Sequence, residues 1–139
     1  MNLTSVLDCA IIQLPKINLE AGSITVINEM RELHFPIKRI YFLYDVPGGV
    51  DRGGHAHKEL QQLIVAASGS FDLIVDDGMK KRTFNLNRPS VGVLMPSGLW
   101  RELTNFSSGS ICLVLASHDY DENDYVREYE QFKRMKHDS

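Results

Sequence analysis

The sequence predicts an all-β domain, a β-sandwich or barrel with a short C-terminal α-helix. Three observations carry that expectation. Short apolar segments recur at roughly even intervals, Gly, Pro, Asn and Asp divide them, and only the last stretch changes to a helical period. Residues 6–14, 23–27, 39–46 and 60–67 read as the first strands. Ala67-Ser68-Gly69-Ser70 is a tight turn into 70–75, and Asp76-Asp77-Gly78 is a hairpin signal joining that strand to 81–86. Asn87-Arg88-Pro89 and Pro96-Ser97-Gly98 bracket 90–95, and 110–117 is the last apolar run. In residues 122–136, Tyr125, Tyr129 and Phe132 are spaced for one helical face. Asp121 is placed to cap that helix, and Glu122 and Asp124 suit the positive end of its dipole.

With 139 residues the chain is read as a single domain, 1–139, long enough for a substantial core. Its 43% apolar content argues against disorder. A net charge of −3 without a stripe of Lys and Arg argues against a nucleic-acid partner. No apolar run approaches the ~18 residues of a membrane span, and the N-terminus lacks the pattern of a secretory signal. The expected location is the cytoplasm, away from membranes. Cys9 and Cys112 have no metal-pair spacing and read as reduced thiols.

The chemistry concentrates in Gly49-Val50-Asp51-Arg52-Gly53-Gly54-His55-Ala56-His57, followed by Gln62 and Gly69. On a strand, His55 and His57 point to the same side, so their ring nitrogens converge. The spacing resembles the first cupin motif, in which an acid would stand at position 62. The second cupin element has its frame in Pro96-Ser97-Gly98-Leu99-Trp100-Arg101-Glu102-Leu103-Thr104-Asn105, where Arg101 replaces a histidine. Gln62 withholds a negative charge, and Arg101 has no lone pair to give a cation. Two of four ligands are therefore missing, and no metal is expected. A pair of imidazoles beside a fixed positive charge suits proton abstraction next to a carbonyl, with the enolate oxygen stabilised by a donor.

Six blocks then resemble the sugar 3,4-ketoisomerases: Ile37-Lys38-Arg39-Ile40-Tyr41-Phe42, Arg52 to Lys58, Pro89-Ser90-Val91-Gly92, Leu99-Trp100-Arg101-Glu102, Val114-Leu115-Ala116-Ser117, and Tyr120 to Arg127. The resemblance implies a jelly-roll fold and a cofactor-free reaction. In that reaction the keto group of dTDP-4-keto-6-deoxyglucose moves from C4 to C3 through an enediol. It further implies a homodimer with exchanged N-terminal strands. A pyridoxal-phosphate aminotransferase and an acyltransferase would follow in the pathway, making a 3-amino-3,6-dideoxyhexose for lipopolysaccharide O-antigen or S-layer glycan. His55 matches the family's base at C3. His57 is expected to face the same cavity and shuttle protons, and Tyr41 to donate to sugar oxygens. Arg52, Gln62, Arg101, Tyr125 and Arg127 are candidate substrate-binding residues. Packing also accounts for Tyr41 and Tyr125, a solvated loop for Arg52, and a buried hydrogen bond for Gln62. Trp100, alternating with Arg101, is read as pointing out of the cavity, into packing or a dimer surface. Because arginine is a poor proton donor, Arg101 favours a gluco over a galacto product. The rival readings are a deoxysugar 3,5-epimerase, a metal-dependent cupin oxygenase and a non-catalytic nucleotide-sugar-binding cupin.

Overall fold

The computed structural model describes residues 2–138. Two five-stranded antiparallel sheets form the body of the molecule. The first has the order β1 (Ala10–Gln13), β9 (Val91–Met95), β6 (Gln62–Ser68), β11 (Ile111–Ala116), β4 (Arg39–Leu43). In the second the order is β12 (Tyr125–Val126), β5 (Arg52–His57), β10 (Trp100–Thr104), β7 (Phe71–Asp76), β8 (Lys81–Leu86). A separate hairpin joins β2 (Lys16–Leu19) to β3 (Gly22–Thr25), and a helix, α1 (Tyr129–His137), follows β12.

Strand periodicity explains the layers. On β6, Ile64 and Ala66 enter the main core with Val93 and Met95 of β9 and Cys112 and Val114 of β11, against Phe71, Leu73 and Val75 of β7 and Leu103 of β10. The intervening Leu63 and Val65 face the other way, under a cover made by Leu14, Leu33 and Phe35. β6 is therefore apolar on both faces, which is why residues 60–67 read as a continuous apolar run. The second sheet is covered by α1, where Phe132, Tyr129 and Met135 pack on Ala56, Trp100 and Val126. Trp100 thus points away from the histidines, its ring centroid 5.3 Å from Tyr129 and 5.9 Å from Phe132. Ala56 and Trp100 lie under the helix, so their strand neighbours His55, His57 and Arg101 point inward.

The all-β expectation with a short C-terminal helix holds, and two boundaries change. Residues 6–8 form a 3-10 turn, fixed by reciprocal Ser5 and Asp8 capping bonds, so the first strand begins at Ala10. The predicted helix 122–136 is divided. Glu122–Asp124 is a 3-10 turn capped by Asp121, Tyr125–Val126 pairs with His57 and Ala56 of β5, and the helix starts only at Tyr129. Tyr129 and Phe132 do share a helical face, but Tyr125 is held in the sheet. β5 and β10 carry polar and charged residues, so no apolar alternation announces them; only the histidine and proline–glycine motifs did.

Candidate active site

β5 lies between β12 and β10, and register sets the neighbours: Arg101 opposes His55, and Tyr125 opposes His57. β4, at the edge of the other sheet, supplies Arg39, Tyr41 and Leu43 from its inward face. Between these edges is a cavity of about 480 Å³. Six of the eight predicted residues line it: Tyr41, Arg52, His55, Arg101, Tyr125 and Arg127. His57 and Gln62 do not; they lie deeper, 2% and 1% exposed. For His57 this corrects the expectation of a residue at the cavity wall. The alternation was right, but the Tyr125 ring stands 4.3 Å from its ring and His55 stands 4.9 Å away. Gln62 donates weakly to the Met95 sulfur at 3.6 Å and leaves its Oε1 without a partner.

Arg101 is the least expected feature energetically. The residue is 2% exposed and Nη2 donates to the Tyr41 hydroxyl at 2.8 Å, while Nε and Nη1 have no partner. Among the described residues no carboxylate pairs with it. A buried, unneutralised cation costs several kcal/mol and is retained only where an anion or anionic oxygen will meet it. Three more arginines surround the same space. Arg39 donates to the Tyr125 hydroxyl at 3.2 Å and lies over the Tyr41 ring at 4.7 Å. Arg127 lies over the Tyr125 ring at 4.2 Å while Glu122 holds its fork at 2.6 and 2.8 Å. Arg52 completes the set on β5. Cations flanked by Tyr120 and Tyr125 suit a diphosphate attached to a planar base.

Burial and these cations keep the histidines neutral. His55 is pushed down to about 2, by burial first and then by Arg101. His57 is pushed down to about 4, again by burial, with its hydrogen bond to Asp124 pulling the other way. Neutral imidazoles are the form that accepts protons, and the Nε2 atoms of both rings are buried without a partner.

Stability follows from the same shifts. Folded values below the ordinary 6.5 mean that the unfolded chain binds the extra protons. Stability is full above pH 6.5 and is lost as pH falls toward the folded values, by at most about 1.4 kcal/mol per pH unit per histidine. The urea midpoint should therefore drop between pH 7 and pH 5, and the slope should flatten in His55→Asn. A midpoint that does not move would contradict the neutral buried pair.

A metal fits this donor set poorly. Among the described residues no three His, Cys, Asp or Glu side chains gather as ligands, and the two positions that would complete the histidine pair are Gln62 and Arg101. Arg39, Tyr120 and Asp124 were not singled out from the sequence. Arg39 had a signal, since it stands two residues before Tyr41 and must share its face of β4. Tyr120 and Asp124 sit in turn structure that no periodicity reveals.

Comparison with known proteins bears on this site. The FdtA family, described as WxcM-like, C-terminal, matches residues 7–137. The TDP-4-oxo-6-deoxy-α-D-glucose-3,4-oxoisomerase of Aneurinibacillus thermoaerophilus is 41% identical over 124 residues, 89% of each chain. A crystal structure of a 3,4-ketoisomerase from Helicobacter canadensis is 41% identical with a TM-score of 0.91, covering 94% of this chain and 98% of that one. A histidine-to-asparagine variant of the Thermoanaerobacterium thermosaccharolyticum 3,4-ketoisomerase, solved with TDP-4-keto-6-deoxyglucose, is 32% identical with a TM-score of 0.93, covering 96% and 97%.

Proposed function

The chain belongs to the FdtA family, and on that premise we propose that it is a dTDP-sugar 3,4-ketoisomerase in which His55 is the base at C3. The observation that carries the reading is a neutral, buried His55 directly across from a buried, unpaired Arg101. The substrate is dTDP-4-keto-6-deoxyglucose. Arg39, Arg52 and Arg127 take its diphosphate, Tyr120 and Tyr125 flank the base, and the hexose enters toward His55, Tyr41 and Arg101. His55 removes the C3 proton, and the C3–H electron pair becomes the C3=C4 bond while the C4 carbonyl pair moves to O4. Arg101 and the Tyr41 hydroxyl stabilise that oxygen. His55 gives its proton to solvent, C4 takes one from the opposite face of the ring, and the O3 proton is transferred to O4, leaving the ketone at C3. Proton transfers alone balance the reaction, so no cofactor is required.

The decisive assay incubates the protein with dTDP-4-keto-6-deoxyglucose, a 3-aminotransferase and its amino donor, with His55→Asn as the control. A 3-amino sugar is expected from the wild type, undiminished by a chelator. Absence of that product overturns the reading. In heavy water, label confined to C3 and C4 supports ketoisomerisation, and label at C5 would indicate a 3,5-epimerase. Arginine is a poor proton donor at C4, so a gluco product is expected by NMR after amination; a galacto configuration contradicts that assignment. The 3-keto product suits a pyridoxal-phosphate aminotransferase and then an acyltransferase, on the way to a surface glycan. The two free, buried cysteines agree with a reducing, cytoplasmic setting.

The working unit is proposed to be a homodimer with exchanged N-terminal strands. Ile17, Leu19 and Ile24 form an exposed apolar face on the β2–β3 hairpin, with Ile17 opposite Ile24. β4 is an edge strand whose outward Ile40 and Phe42, with Tyr44 just beyond its end, are more than half exposed. A hairpin laid on the partner's β4 edge would cover both. Light scattering should give a dimer for the wild type and a monomer for Phe42→Asp. A monomeric wild type would sink the proposal.

A further inference from the structure

The Asp124 carboxylate, at the end of the 3-10 turn before β12, has its acceptor positions occupied by β5 and the segment that follows it. One oxygen accepts the Glu59 N–H at 2.7 Å; the other accepts the Leu60 N–H at 3.3 Å and faces His57 Nδ1 at 3.0 Å. The main chain adds a tie, Lys58 N–H donating to the Asp124 carbonyl at 2.9 Å. An ionised carboxylate only accepts, so the hydrogen between Asp124 and His57 belongs to Nδ1. Neutral His57 then carries its lone pair on Nε2, which is buried and has no partner. What this nitrogen lacks is a donor, and a sugar hydroxyl that reaches past the His55 and Tyr125 rings, behind which His57 lies, is one.

We propose that Asp124 is a positioning residue that fixes His57 as its Nδ1–H tautomer, reserving Nε2 to take the O3 proton of the sugar and pass it to O4. The O3–H bond breaks, its electron pair becomes the new C3=O bond, and the proton rests on Nε2 until the O4–H bond forms. Asp124 supports the transient imidazolium, whereas His55 faces Arg101 and has no such anion. His57 accordingly sits above His55 in proton affinity, at about 4 against about 2.

This inference rests on the ketoisomerase reading for its substrate, but its first test needs none. Long-range proton–nitrogen NMR of the free, ¹⁵N-histidine-labelled protein at pH 7 should find His57 protonated at Nδ1. In Asp124→Asn the amide oxygen is expected to stay with the Glu59 N–H, the shortest of the three bonds. The amide NH₂ must then face His57, which accepts at Nδ1 and moves its proton to Nε2. That variant should lose about 100-fold in kcat with KM within about twofold. Deuterium exchange at C3, the step assigned to His55, should fall much less. A wild-type His57 protonated at Nε2 overturns the proposal, and it does so even if Asp124→Asn does not fold. So does a variant whose tautomer swaps while kcat stays unchanged. Failure of the wild type to turn over would count against the function and leave the tautomer result separate.

Discussion

His55→Asn should lower kcat by about 10²–10⁴-fold, the usual worth of a general base, while leaving KM and the fold intact. The asparagine keeps a polar group in a site already lined by Arg101 and Tyr41, and it adds no charge to the interior. Because the arginines that would hold the diphosphate lie on β4, β5 and after β12, substrate affinity does not depend on the imidazole. Isotope exchange sharpens the test: the variant should stop exchange at C3 as well as product formation. Exchange that persists without His55 would assign the C3 proton to another group, and His57 would be the first to examine.

Arg101→Met should separate activity from stability. Removing the cation proposed to meet the enolate oxygen is expected to cost about 10²–10³-fold in kcat, the range measured for single oxyanion donors. Yet the unpaired guanidinium is a buried charge in the free protein, and replacing it with an apolar chain of similar length should leave stability unchanged or raise it by about 1–4 kcal/mol. Loss of Arg101 also removes the second-largest influence holding His55 down, so the acid-side fall in stability should end at a higher pH. Urea denaturation at pH 7 and in steps down to pH 3, beside steady-state kinetics, checks all three effects. A variant that is both inactive and strongly destabilised would show Arg101 to be structural.

Much of this was legible in the chain because the physics that organises it is local. β6, β7, β8, β9 and β11 are runs of apolar or alternating residues between turn formers, and the helix face of Tyr129 and Phe132 follows its period. β5 and β10 were not legible that way, since a strand that builds a polar site replaces apolar residues with histidine, arginine and glutamate. The motif spacing recovered them. The helix start was misplaced because Asp124 and Tyr125 satisfy a helical pattern but gain more by pairing with β5, where Asp124 accepts two backbone N–H groups and a histidine. Spacing also put His57 on the right face without giving its depth, which depends on a tyrosine 68 positions further on (125 − 57). Tyr120 enters the site from a turn by packing on Tyr125 and Arg39, which no single segment encodes.

The cavity opens between one pair of sheet edges, β4 on one side and β5 with β12 on the other, while the main core is built largely from β6, β7, β8, β9 and β11. That separation has an evolutionary consequence. Residues that choose the substrate and those that hold the two sheets together are drawn largely from different strands. Substitutions at the open edge can then retune which sugar is accepted, or which face is protonated, without spending the stability of the core. A fold divided in this way can diversify its chemistry one edge residue at a time.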